Sequence, residues 1–394
     1  MGSIKRKITM TAKSIKGRSP EEINAALQQS MADGFKPTLA IVFISVEQDT
    51  KAVAEMLHNK GIDVFGATSG GEFSNENQSK GEIVIMLIEL ERRKYFVSFE
   101  DVKGKDLALV SQNMARTALS KFNNPAFIVC STSLTEQGEF LNGEVLVENI
   151  EKVVGPDVTI FGGMAGDDGK FTGTYVFNHE KSTDNGIIAL VLDEDKVDLH
   201  GMAISGWKPL GIVRTITKSK GRLIYSIDDQ PAVDMYLKYL GNENFSEKDK
   251  HKIFEAIGVH YPLQVALENG ESVMVTPMGI DMDENALMCE KEVKQNSTFH
   301  FSVPPDFDIV ETILQNASEL KSERETEADA LLIFSCIGRH SAMGPMTQEE
   351  NEGLAKIWNV PMAGFYTYGE FGRSPHGKRR MHSTTCSWVA LKEK

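Results

Sequence analysis

Apolar residues in this chain gather into short β-branched runs separated by amphipathic stretches, and the same order appears three times. Leu39-Ala-Ile-Val-Phe-Ile-Ser-Val46 is a run suited to a buried strand. From about Thr50 to Asn59, Val53, Met56 and Leu57 share one helical face, and Gly61 follows as a stop signal. Ile62-Asp-Val-Phe-Gly66 predicts a second strand, running into Ala67-Thr-Ser-Gly-Gly-Glu72 and a further strand over Ile83 to Leu90. The second unit opens with Ala126-Phe-Ile-Val-Cys130, continues with a helix from about Gly143 to Val154, and reaches Val158-Thr-Ile-Phe-Gly162. Gly163-Met-Ala-Gly-Asp167 is its turn, and Gly186-Ile-Ile-Ala-Leu-Val191 closes it. The third unit has Leu331-Leu-Ile-Phe-Ser-Cys336, a helix from about Thr347 to Trp358, Val360-Pro-Met-Ala-Gly364, the turn Phe365-Tyr-Thr-Tyr-Gly-Glu370, and Trp388-Val-Ala-Leu391.

Strand–helix–strand order implies parallel pairing through a right-handed crossover, with the closing strand free to return antiparallel. The expected fold is therefore α/β, with mixed sheets flanked by helices in two domains. At 394 residues the chain exceeds one ordinary core. An arm and helix occupy residues 1–36, and the polar turn Lys218-Ser-Lys-Gly221 divides a domain over 37–220 from one over 221–394. Between the second and third units, Arg222 to Ile227, Val273 to Ile280 and Ser297 to Val303 read as strands. Pro231 to Leu240 reads as a short helix, with Pro231 in its first turn and Asp228 or Asp229 as cap.

Charge narrows the partners. Lys and Arg number 42 against 56 Asp and Glu, a formal charge of −14. That excess opposes nucleic-acid phosphates and anionic membrane surfaces as general partners. Four scattered cysteines without a C-x-x-C pair suit reduced thiols in a cytoplasmic protein. No apolar run approaches a membrane span, and the N-terminus has no signal-peptide core.

Familiar catalytic motifs are missing. The sequence holds no phosphate loop, no H-E-x-x-H and no G-x-S-x-G, and Gly162-Gly-Met-Ala-Gly-Asp-Asp-Gly169 does not fit a dinucleotide fingerprint. Cys336 with His340 nearby, helped by Glu370, is the one arrangement that suggests a hydrolase-type enzyme. Cys336 also ends an apolar strand, where a cysteine behaves as a small hydrophobe.

Ile333-Phe-Ser-Cys-Ile-Gly-Arg-His340 and Pro361-Met-Ala-Gly-Phe-Tyr-Thr-Tyr-Gly-Glu-Phe-Gly372 resemble the C-terminal FIST signature. Gly66-Ala-Thr-Ser-Gly-Gly-Glu72 and Phe161-Gly-Gly-Met-Ala-Gly-Asp167 resemble the N-terminal FIST domain. The resemblance implies a sensory, signal-transducing protein that binds a small ligand, with amino acids as the family's proposed ligands. Some free-standing members are haem proteins that sense nitric oxide and act on a histidine kinase. On this reading the output runs through a separate partner protein.

If the strand ends share one edge, ligand contacts fall to Glu72, Asp167, Arg339, Tyr366, Tyr368, Glu370 and Arg373. Arginine forks match a ligand carboxylate, and the acids accept from an ammonium group, which suits a zwitterionic amino acid. Glycines in these loops would let backbone approach the ligand. The same residues equally suit structural work, with Arg339 and Glu370 as an internal salt bridge and the tyrosines as core aromatics. For haem, the candidate axial residues are His260, His340, His376 and His382.

Overall fold

The computed structural model describes residues 10–394 apart from 76, 242–257, 268–269, 325–326, 376 and 378. All three strand–helix–strand units form. In the first, Leu39–Ile44 and Asp63–Thr68 pair in parallel across the helix Thr50–His58, whose N-cap Asp49 accepts from the Ala52 N–H at 2.9 Å. Pro125–Ser131 pairs with Ile160–Met164 in the second unit, and Ala330–Cys336 with Met362–Thr367 in the third, both in parallel. The closing strands Ile83–Glu89, Gly186–Asp193 and Cys386–Glu393 return antiparallel to the first strand of each unit. A buried position on both faces explains the unbroken apolar runs.

Each unit also carries a leading strand beside its closing strand: Thr11–Gly17, Tyr95–Asp101 and Val197–Ile204. The first of these lies in the segment expected to be an arm. Its polar, half-buried sequence hides a strand that gains its partners only from residues far along the chain.

Neighbouring units are interlocked. After the second strand of each unit the chain forms a short hairpin that joins another unit's sheet. Glu72–Ser74 with Gln78–Ser79 extends the third sheet, Val176–Phe177 with Ser182–Thr183 the first, and Glu370–Arg373 with Arg379–His382 the second. Three six-stranded sheets result, each assembled from two units. At every join a phenylalanine lies opposite a glycine: Phe73 opposite Gly364, Phe177 opposite Gly66, and Phe371 opposite Gly162. A Cβ on Gly66 would stand 2.3 Å from the Phe177 ring, and one on Gly364 would stand 2.1 Å from the Phe73 ring. These glycines therefore make room for a core aromatic, where sequence suggested approach to a ligand. The sheets close on a common core in which Phe43 stacks on Phe365 at 4.5 Å and meets Phe334 edge-on at 6.0 Å.

The chain from Lys208 to Val303 departs from this plan. Its strands form a separate sheet around a core of Ile216, Ile224, Tyr236, Leu263, Phe299 and Phe301. This compartment is inserted between the leading strand Val197–Ile204 and the helix Ile309–Arg324 of the third unit. The turn at Gly221, expected to divide two domains, joins two strands of one sheet, Lys208–Lys220 and Leu223–Ile227. The short helix Ala232–Tyr239 has Pro231 as its cap residue and no side-chain cap. Asp228 instead accepts from the Thr215 N–H at 2.9 Å and pairs with Arg214 at 2.8 Å. Among the described residues no helix is long and apolar enough to cross a membrane.

Gly66→Ala should destabilise the fold by about 1–3 kcal/mol through overpacking against Phe177. In a urea-unfolding double-mutant cycle, adding Phe177→Leu should recover part of that loss. Strictly additive costs would show that the pair does not lock the sheets.

Candidate functional site

The glycine-rich turns of the three units cross one another. Gly70 donates its N–H to the Tyr366 carbonyl at 2.8 Å, and Tyr366 donates back to Gly71 at 2.8 Å. Gly166 donates to Thr68 at 2.9 Å and Met164 to Gly369 at 2.7 Å. A Cβ on Gly166 would lie 2.5 Å from the Gly70 nitrogen, so only glycine permits this crossing.

Three acids follow these turns, and all are buried. Glu72 accepts from the Ser69 hydroxyl and from the Glu82 N–H at 3.1 Å. Glu370 accepts from the Thr367 hydroxyl, from the Thr385 N–H at 3.1 Å and from the Thr385 hydroxyl at 2.8 Å. Both therefore bind a hydroxyl three residues back and the N–H just before their unit's closing strand. Asp167 accepts from the N–H groups of Phe171, Thr172 and Gly173, at 3.0, 2.6 and 3.1 Å, and from the Tyr368 hydroxyl. Burial pushes the Glu72 carboxyl up to about 8 and that of Glu370 up to about 7. These acids fasten loops.

Arg339 is fully buried. Its Nη2 donates to Glu350 at 2.6 Å and its Nε at 3.1 Å, while Nη1 reaches the carbonyls of Ser205 and Thr384. The internal ion pair considered from sequence thus exists, with Glu350 as partner and not Glu370. The fork expected to receive a ligand carboxylate is committed to it. Tyr366 donates to Gln78 at 2.6 Å and stacks on His340, whereas Tyr368 reaches Asp167 and stacks on Phe171 at 5.1 Å. Arg373 donates to the Gly377 carbonyl and lines a different cavity with Glu194 and Asp198.

Among these residues Tyr368 lines a cavity of about 210 Å³, beside Phe171, Cys336, Ile337, Gly338 and Ser341. Thr276, Met278 and Glu290 of the inserted sheet form its opposite wall. Sequence gave no sign of these last three, because their role arises only where the insertion meets the body. Cys336 is buried, and its thiol is pushed well up by burial and by the carboxylates of Glu370 and Glu290.

Of the four candidate histidines, the three that are described do not converge on this cavity. His260 Nε2 bonds Ser341 Oγ at 2.7 Å, and His340 Nδ1 bonds Thr347 at 3.1 Å. His382 is sealed in the fold, with Nε2 on the Gly372 carbonyl at 3.1 Å and its pKa lowered by burial to about 4. None of the three lines the cavity, and His376 lies outside the described residues. No group of three or more His, Cys, Asp or Glu among the described residues is arranged to hold a metal ion.

An α/β body with interlocked sheets and a mostly apolar cavity at a seam has the features of a small-molecule-binding protein. Residues 38–230 match the FIST N domain and residues 232–373 the FIST C domain, and the chain belongs to the FIST family. FIST domains are associated with sensory signal transduction. An uncharacterized protein of Methanocaldococcus jannaschii is 25% identical over 319 residues, which cover 75% of this chain. The match spans 58% of that relative's length. Phosphoribosylformylglycinamidine synthase II of Thermotoga maritima aligns at 10% identity, and T. maritima PurL complexed with AMPPCP at 8%. Both alignments cover 98% of this chain and 72% of the other, with a TM-score of 0.20, at which the likeness carries no argument.

Two measurements test the buried groups. Glu72 and Glu370 bind protons more tightly folded than unfolded, so their contribution to stability falls as pH rises from about 4.5 through 8. Glu72→Gln should therefore gain stability relative to wild type over that window, on the order of 1 kcal/mol or more. A pH-independent difference would mean that Glu72 is charged in the fold. Arg339→Met should cost about 3–5 kcal/mol by stranding Glu350. Arg339→Met with Glu350→Leu should recover much of that loss in chemical denaturation.

Proposed function

We propose that this FIST protein is a sensor that binds a small, largely apolar metabolite in the seam cavity and signals to a separate protein without turnover. A histidine kinase is the kind of partner the family resemblance implies. The observation that carries this reading is the cavity's construction, with one wall from the three-sheet body and the other from the inserted sheet. A ligand that fills it contacts both compartments at once. It therefore favours one arrangement of the two over others, which is the requirement for a population shift.

Direct polar ties cross the same seam among the described residues, including an Arg380–Glu271 ion pair at 3.8 Å. Ser383 donates to Glu290, Lys291 donates to the Met381 carbonyl at 3.2 Å, and Trp207 Nε1 donates to the His260 carbonyl at 2.8 Å. His260 in turn meets Ser341. At about 210 Å³ the cavity lies below the usual range of drug-sized sites, which favours a compact metabolite.

Binding is favoured over hydrolysis by the state of the catalytic candidates. Cys336 has carboxylates as its electrostatic neighbours, and these disfavour a thiolate. His340 is engaged with Thr347, and both Glu370 oxygens are taken by threonines. A nucleophile paired with its base is the arrangement that hydrolysis requires.

A thermal-shift screen of metabolites tests the proposal. A ligand at a hundred times its Kd should stabilise the protein by about 2.7 kcal/mol. Met278→Trp, which fills the cavity from a half-buried strand position, should fold normally and lose that response. An unchanged shift in this variant would remove the cavity from the function.

A further inference from the structure

Of the described residues lining the seam cavity, Glu290 alone carries a formal charge. Its side chain is 10% exposed. Oε1 is heavily used: it accepts from the Thr276 N–H at 3.2 Å and from the Ser383 hydroxyl, and the Lys291 ammonium lies 3.6 Å away. Oε2 takes no hydrogen bond among the described residues. Lys291, which forms that ion pair with Oε1, donates to the Met381 carbonyl and lines a separate groove with Val265 and Val275; it is not among the residues lining the cavity.

The side chains around the cavity that would receive a ligand carboxylate are already committed. Ser341 Oγ is engaged by His260, Thr384 Oγ1 donates to the Ser383 carbonyl at 2.6 Å, and the Tyr368 hydroxyl donates to Asp167. Arg339 is spent on Glu350. At the rim, Phe171 is 49% exposed, sits at φ +54° and stacks on Tyr368 with the rings 20° from parallel. A bulky side chain is rarely held at positive φ. Here the Asp167 carboxylate fixes it by accepting the Phe171 N–H.

An acid with an open oxygen, an apolar wall and an aromatic pair at the mouth define a complementary ligand. We infer that the ligand is a small apolar amine rather than the corresponding amino acid, its ammonium donating to Glu290 Oε2 and lying against the Phe171–Tyr368 pair. This rests on the reading of the cavity as the ligand site. A charge-assisted hydrogen bond to a mostly desolvated carboxylate is among the stronger single contacts a site can offer, and an ammonium is attracted to aromatic faces. A ligand carboxylate would lose its hydration without gaining a cation, and Glu290 would repel it.

Titration calorimetry with four probes sharing one apolar body decides the matter: isoamylamine, leucine, isoamyl alcohol and isovalerate. Isoamylamine should bind at least about tenfold more tightly than the other three. Glu290→Gln should weaken it roughly tenfold to a hundredfold and leave the alcohol unchanged. Phe171→Ala, at a half-exposed site outside the core, should weaken the amine about threefold or more. Should Glu290→Gln fail to fold, the wild-type ranking and the Phe171 variant decide the question.

Tighter binding of leucine or isovalerate, or an amine affinity indifferent to both substitutions, overturns the inference. If Met278→Trp abolishes that binding, the cavity still stands as the ligand site. Absence of binding by all four probes, with metabolite responses insensitive to Met278→Trp, removes both the amine and the cavity.

Discussion

Everything in this fold depends on the exchange of hairpins among the three units. Each six-stranded sheet takes the two strands at one edge from another unit, so no unit completes its own sheet. The exchange is sterically demanding at two of the three joins, where the Phe177 and Phe73 rings occupy the space above Gly66 and Gly364 of the neighbouring unit; at the third, Gly162 lies against the Val129 backbone. Pairing a large apolar side chain with an absent one lets strands approach closely while filling the gap a glycine leaves. Long-range pairing of this kind makes the body cooperative, because loss of one hairpin exposes the edge of another unit.

The buried acids follow from that geometry. Where three tight turns cross, N–H groups and hydroxyls are taken away from water and need acceptors. Glu72, Asp167 and Glu370 supply them, each serving several donors. Desolvation raises the pKa of both glutamates, opposed by the hydroxyl and N–H donors that fasten them to the loops. The residue types that look most like a ligand-binding set in the sequence are thus largely the fastenings of the fold. Arg339 belongs with them, since a fully buried guanidinium needs a partner close at hand and Glu350 provides it.

The proposed ligand site lies at a place the repeat itself does not build. The inserted sheet meets the body beside the third unit's crossover, and the seam holds an apolar cavity with an acid in its wall. Its walls belong to segments separated by long stretches of chain, with Phe171 and Tyr368 on one side and Met278 and Glu290 on the other. A site shared between two compartments suits a receptor whose signal is a change in how they sit together.

The repeating units are legible in the chain, because a strand buried on both faces must be an unbroken apolar run and a crossover helix must show one apolar face. Leu39 to Ile44, Phe127 to Cys130 and Leu331 to Cys336 announce themselves in this way. It also marked the turns that matter, since glycine at Gly166 is required by backbone contact. Folding alone settles which hairpin joins which sheet, that Glu350 and not Glu370 pairs with Arg339, and that Glu290 faces a cavity. Pairing across hundreds of residues leaves no local period in the chain, and a short strand such as Val176–Phe177 carries too few residues to show one. A charge reads the same in sequence whether it fastens a loop or waits for a ligand; its solvation and its neighbours separate the two roles, and both are set by the fold.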